Sequence, residues 1–174
     1  CSSDLLENLL VFFSVALLGA TWRRFAFSNR AYALFTLFLS LHLVGAHYTY
    51  AEVPLGFWLQ EALGLDRNPY DRLVHFAFGL LIAEPLRELL ARAAGLRPGW
   101  AAPMAVMTVL GLSAFYEGLE ALTAMLVSPE LGAAYLGTQG DEWDAQKDSF
   151  AALLGALLAM GLRAAAARGY RARN

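Results

Sequence analysis

Residues 31–48 read Ala31-Tyr32-Ala33-Leu34-Phe35-Thr36-Leu37-Phe38-Leu39-Ser40-Leu41-His42-Leu43-Val44-Gly45-Ala46-His47-Tyr48, with no Asp, Glu, Lys or Arg among them. A helix of about 20 apolar residues is what the roughly 30 Å hydrocarbon core of a bilayer requires. Outward from this run, four more of the same kind follow the chain, at about 5–22, 70–91, 101–127 and 148–167. The composition agrees: 58% of residues are hydrophobic and only 16% charged, with a mean hydropathy of +0.46. A soluble domain of 174 residues needs more polar surface than that. The expected fold is therefore all-α: a polytopic transmembrane helix bundle of about five spans, residues 1–174 forming a single integral membrane domain. The run at 70–91 is the least apolar, because Glu84, Arg87 and Glu88 interrupt its second half. Pro85 beside them predicts a kink or an emergence from the membrane at that point.

The net charge of −2 is uninformative, whereas the distribution of charge is not. With the runs threaded back and forth, thirteen of the fifteen acidic residues and all three histidines fall at one end of the bundle. Ten of the thirteen basic residues fall at the other. The connections alternate accordingly: Arg23, Arg24 and Arg30; then Glu52, Glu61 and Asp66 against Arg67; then Arg87, Arg92 and Arg97; then Glu130, Asp141, Glu142 and Asp144 against Lys147; then Arg163, Arg168, Arg171 and Arg173. Positive-inside bias puts residues 23–30, 87–100 and the basic tail 163–174 in the cytoplasm. Residues 1–4, 49–69 and 128–147 are expected outside, which for an inner (cytoplasmic) membrane is the periplasm.

No linker, repeat or low-complexity tract divides the chain. Pro54–Gly64 carries an apolar and a polar face, with Trp58 suited to the headgroup zone, and predicts a short interfacial helix near 55–64. Residues 128–147 contain Gly132, Gly137 and Gly140 and are expected to form a loop over the bundle mouth. Asn68-Pro69 predicts a helix start, Asn as the cap and Pro as the first helical residue. Asp141 or Asp144 is expected to cap the last helix. Ala151, Gly155 and Ala159, four apart, form a small-residue stripe that permits close helix contact. The single cysteine, Cys1, excludes an internal disulfide and a multi-cysteine metal site. Cys1-Ser2-Ser3-Asp4 suits either a lipid-modified mature N-terminus or a boundary with an upstream hydrophobic segment missing; the second is the simpler expectation.

The chemistry gathers at the acidic end. His42 and His47 lie in the last turns of the second run, with Tyr48 beyond. Asp71 and His75, four apart, share a face in the first turns of the third. Ser113, Tyr116, Glu117 and Glu120 fall on one side of the fourth, and Asp141, Asp144 and Asp148 step into the fifth. Ionisable groups within a span are costly and face the bundle interior, a partner or water. So many carboxylates around one pocket need protons, the cation Arg72 or a bound metal. Asp-x-x-x-His and Glu-x-x-Glu each offer two ligands to one ion, and a mixed His/carboxylate set suits Zn²⁺, Mn²⁺ or Fe²⁺. The expected ligands are His42, His75, Asp71 and Asp148, with Glu117 or Glu120 as general base. His47, Tyr48, Arg72, Tyr116, Gln139, Asp141, Trp143 and Asp144 are expected around them or on substrate.

Bland readings stand beside these. Asp71, Asp141 and Asp144 are also positioned to cap helices, and His42 to make an interhelical hydrogen bond. His47 follows His42 by five residues, which turns it roughly 140° away on an unbroken helix. Glu117 and His75 have the poorest structural excuse. Glu84, Arg87, Glu88 and Arg92 alternate at helical spacing and are expected to pair as support for their own helix. No phosphate-binding glycine loop, nucleotide fingerprint or basic nucleic-acid patch is present. Membrane lipids are the expected surroundings, and nucleic acid is not an expected partner.

Five stretches are similar to a known family: His42–Tyr50, Val53–Trp58, Arg67–Phe76, Ser113–Glu120 and Leu136–Asp148. In them the chain resembles the YjdF family of bacterial inner-membrane proteins over nearly its whole length. The resemblance implies a polytopic inner-membrane protein and brings no reaction with it. Family members usually carry one more hydrophobic segment upstream of Leu6-Glu7-Asn8. Tyr70-Asp71 and His75-Phe76 also resemble a helix motif of the VanZ-like membrane proteins, linked to glycopeptide-antibiotic resistance. The functional expectation is a metal-dependent membrane hydrolase or transferase acting on a lipid or cell-envelope intermediate. A small-solute or cation/proton transporter and a non-catalytic scaffold are the alternatives.

Overall fold

The computed structural model describes residues 2–171, so Cys1 and the last three residues of the basic tail lie outside the described residues. Among the described residues seven α-helices follow one another: α1 (Ser2–Thr21), α2 (Asn29–Tyr48), α3 (Pro54–Leu63), α4 (Tyr70–Arg92), α5 (Pro98–Leu126), α6 (Pro129–Leu136) and α7 (Asp144–Arg171), with a 3₁₀ turn at Tyr50–Glu52. The all-helical, polytopic architecture expected from the sequence is what the chain adopts. Asn29–Tyr48, Gly99–Leu126 and Asp144–Tyr170 are long and apolar enough to cross a membrane by themselves. Helix α4 is long enough but charged at both ends, and α1 contributes the shorter apolar stretch Asn8–Thr21.

The helix ends follow local chemistry. Ser28 caps α2, its Oγ accepting from the Ala31 N–H at 3.2 Å. Ser128 caps α6 in the same way, through the Leu131 N–H at 3.3 Å. Pro69, not Asn68, takes the N-cap position of α4, which opens one residue later than expected; Asn68 stands one residue before the cap and its Oδ1 accepts the Tyr70 N–H at 3.0 Å. Pro85 neither ends α4 nor brings it to the surface; it is buried inside a helix that continues to Arg92. The glycine-rich connection is only partly loop, since Pro129–Leu136 winds into α6 before Gly137 closes it at φ 58°.

Helix α4 is the hub, packed against α2, α5 and α7. Its seam with α7 is the tightest in the molecule. A Cβ on Gly79 would collide with the Ala152 carbonyl, and one on Gly155 would collide with the Phe76 carbonyl and lie 2.7 Å from the Leu80 nitrogen. Ala83, Ala152 and Ala156 are fully buried along the same seam. The small-residue stripe is thus real, centred on Gly155 with Ala152 and Ala156 rather than on Ala151. Large apolar side chains point outward instead: Phe12, Phe13, Met107, Phe115, Phe150 and Leu154 are all exposed. That is the inside-out pattern a lipid solvent allows. The exposed hydroxyls of Thr36, Ser40, Thr108 and Thr123 each donate to the carbonyl four residues earlier, at 2.8–3.0 Å. These four hydroxyls therefore do not depend on water.

The arginine-rich end is tied as expected. Arg87 pairs with Glu84 at 2.8 and 2.9 Å, and Arg163 of α7 reaches the same carboxylate at 2.8 Å. Glu88 pairs with Arg92 and accepts from the Ser28 N–H and hydroxyl at 2.8 and 2.6 Å, which fastens the α1–α2 turn to α4.

Candidate metal centre

At the opposite end, α4, α5 and α7 bring their ionisable residues together. One ligand atom each from Asp71, His75 and Asp148 lies within 4.8 Å of the other two. His75 Nε2 is 3.6 Å from Asp71 Oδ1, one helical turn away, and 3.1 Å from Glu117 Oε1 across the α4–α5 interface. The other ring nitrogen, Nδ1, lies 3.3 Å from the buried hydroxyl of Ser113. Asp148 is 1% exposed and His75 9%, so this is interior rather than surface. Glu117 Oε1 and Asp148 Oδ1 are buried without a hydrogen-bond partner, despite the short approach of Glu117 to the imidazole. Leaving a buried acceptor unpaired costs about 1–3 kcal/mol. A proton or a cation on these carboxylates would remove that cost.

The counter-charges are elsewhere. Arg67 pairs with Asp144 and donates to the Thr138 carbonyl at 3.0 Å. Arg72 pairs with Asp141 and reaches Asp144 at 3.2 Å, while its Nε stays 3.8 Å from Asp148. Lys147 donates to both Asp141 oxygens, at 2.8 and 2.7 Å. Three cations thus gather on Asp141 and Asp144, and of them Arg72 alone also approaches Asp148, at 3.8 Å. Gln139 holds the covering loop down: its side chain accepts the Asn68 N–H at 3.0 Å and donates to the Asn68 carbonyl at 3.1 Å.

The expected residues sort accordingly. Asp71, His75, Asp148 and Glu117 converge. Glu120, one turn from Tyr116 on α5, hydrogen-bonds to that tyrosine's hydroxyl, and the Tyr116 ring lies 6.5 Å from that of His75. His42 does not join the converging trio: it is buried, and its Nδ1 hydrogen-bonds to the Tyr50 hydroxyl. Helix α2 is unbroken through Gly45, so His47 does point away and stacks edge-on against exposed Tyr48. Trp143 is 64% exposed and stands outside the cluster. Asp141 accepts the Trp143 N–H at 3.1 Å just before α7, and Asp144 is the first residue of that helix; both also serve the arginines. The ion-pair roles of Arg67 and Lys147 went unread. Each is the single cation in an acidic connection, and that isolation was the available signal.

Long apolar helices whose ionisable groups are gathered between them at one end define a multi-pass helical membrane protein with a buried polar site. The chain belongs to the DUF2238 family: the family profile described as "Predicted membrane protein (DUF2238)" matches residues 2–169. It is also similar to Inner membrane protein YjdF of Escherichia coli (strain K12), with 46% identity over 155 residues, covering 88% of this chain and 73% of that protein. The YjdF resemblance seen in the sequence is borne out. No solved structure matches.

Proposed function

We propose that this chain is a divalent-metal-dependent hydrolase or transferase of the bacterial inner membrane, acting at the periplasmic face on a lipid or envelope-linked intermediate. The observation that carries the reading is the convergence of Asp71, His75 and Asp148, with Glu117 Oε1 and Asp148 Oδ1 buried and without a hydrogen bond among the described residues. The arginine-rich end marks the cytoplasmic side and leaves the cluster facing out. One imidazole with carboxylates suits Mn²⁺, Fe²⁺ or Zn²⁺. Such an ion supplies Lewis acidity and a water that ionises near neutral pH. Glu117, 3.1 Å from His75 Nε2, is placed to take the proton of that water. Ser113 steadies the imidazole, and Asp141 and Asp144 hold Arg72 beside the centre. A transporter needs a polar route onward to the arginine-rich end. The packing below the cluster is instead Gly79, Ala83, Ala152, Gly155 and Ala156, which favours the enzyme reading.

The test is metal content. Protein purified in detergent is stripped with chelator and reloaded separately with Zn²⁺, Mn²⁺ and Fe²⁺. The wild type is expected to hold one ion per chain, and His75→Ala and Asp148→Asn to hold none. Failure of the wild type to retain any of the three overturns the reading.

A further inference from the structure

We propose that the groove beside this centre seats a phosphate group, so that the substrate is a phosphate ester. This rests on the metal reading above and adds a substrate class to it. A cavity of about 430 Å³ opens next to the cluster, walled by Arg67, Arg72, Gln139, Asp141 and Lys147. That volume admits a phosphate together with part of the alcohol it esterifies. Charge favours an anion there: Arg67, Arg72 and Lys147 are set against Asp141 and Asp144, and Asp141 serves both Arg72 and Lys147. The groove lining itself carries Arg67, Arg72 and Lys147 against Asp66 and Asp141, and Asp144 lies behind it on the two arginines. A hydrogen-bond donor is left over. Arg72, whose side chain is part-exposed, hydrogen-bonds through Nη2 alone, so its Nη1 has no acceptor among the described residues.

A guanidinium with a free Nη1, flanked by a second guanidinium and an ammonium, suits the tetrahedral oxygens of phosphate. Arg72 joins the two regions, since it lines the groove and its Nε lies 3.8 Å from Asp148. A phosphate held on Arg72 would sit beside the metal ligands, with one oxygen free to meet the ion. Asp71, Glu117 and Asp148 repel an anion until a cation occupies the cluster, so metal loading should tighten a phosphate binding that the groove's own cations already support more weakly.

Equilibrium dialysis of radiolabelled inorganic phosphate against Mn²⁺-loaded protein tests this. Affinity is expected to fall at least tenfold in Arg72→Gln and severalfold in Lys147→Gln, with Mn²⁺ content unchanged. Lys147 is 49% exposed, so its variant is expected to fold, which thermal denaturation checks, and Arg72→Lys serves where Arg72→Gln does not, keeping the charge but losing the fork. Competition by phosphatidate in mixed micelles, with none from phosphatidylcholine, assigns the seat to a lipid headgroup. Competition by glycerol phosphate alone assigns it to a soluble ester. No phosphate binding, or binding indifferent to Arg72 and Lys147, overturns the proposal. A wild type that takes up no metal refutes the metal reading alone. The groove is then judged by the same dialysis on metal-free protein, where phosphate binding lost in Lys147→Gln supports it and absence of binding rejects it.

Discussion

His75 Nδ1 and Ser113 Oγ lie 3.3 Å apart in the buried interface of α4 and α5. A serine hydroxyl accepts from Nδ1–H or donates to a bare Nδ1, so it steadies either tautomer of the ring. On the proposed metal reading, coordination through Nε2 would select the form that donates from Nδ1 and would make Ser113 the outer partner of the imidazole. Ser113→Ala is therefore expected to weaken metal binding by about 10–100-fold while leaving the helices intact. Titration against a competing chelator checks this. Unchanged affinity would show that the ring is oriented without Ser113.

The seam between α4 and α7 predicts a sharp contrast among glycines. In Gly79→Ala and Gly155→Ala the added methyl meets backbone of the facing helix, which has no rotamer to change. Each is expected to cost about 1–3 kcal/mol. Gly161, further along α7, has nothing within 4 Å of a built Cβ. Gly161→Ala is expected to be neutral, or stabilising by up to about 1 kcal/mol through helix propensity. Thermal denaturation in detergent ranks the three.

Much of this was legible beforehand, for physical reasons. The helices announced themselves because a lipid-facing run has to be continuous and apolar, as 31–48 is. Asp71 and His75 were placed together because four-residue spacing fixes a shared face on any helix. Across helices the sequence says less. Depth alone put His42 level with His75, but the azimuth of α2 turns His42 toward Tyr50. Helix α6 was hidden because glycines at 132 and 137 look like loop. Gly132 is in fact a helical residue held against α5, where a Cβ would come within 2.7 Å of the Ala124 carbonyl. The pairing of Arg67 with Asp144 joins two connections far apart in the chain, and no local pattern encodes it.

Asp141 lies in the connection before α7, outside the spanning helices. The two hydrogen bonds from Lys147 hold its carboxyl well below the ordinary value of about 3.9. The Trp143 N–H and Arg72 add to this, and partial burial opposes it. A carboxylate whose folded pKa is depressed binds fewer protons folded than unfolded. Its contribution is therefore fully present above about pH 4 and is lost as pH falls below that toward the folded value. Wild-type stability should drop over this acidic window more steeply than that of Asp141→Asn. Melting curves of the two between pH 3 and 6 make the comparison; parallel curves would mean that Asp141 is not held by Lys147 and Arg72 in solution.

Gln139 combines a cost with a gain, and the two can be separated. Its backbone is left-handed, at φ 50°, where a non-glycine residue is strained. Its side chain offsets this by pairing with both the N–H and the carbonyl of Asn68, which pins the loop over Arg67. Alanine loses the pairing and keeps the strain, whereas glycine loses the pairing and relieves it. Gln139→Ala should therefore open the 137–143 loop more than Gln139→Gly, by about 1 kcal/mol. Both should be looser than wild type. Limited proteolysis of the loop in detergent-solubilised protein reads the order directly. If cleavage is as slow in both variants as in wild type, Arg67 and Asp144 hold the loop without Gln139.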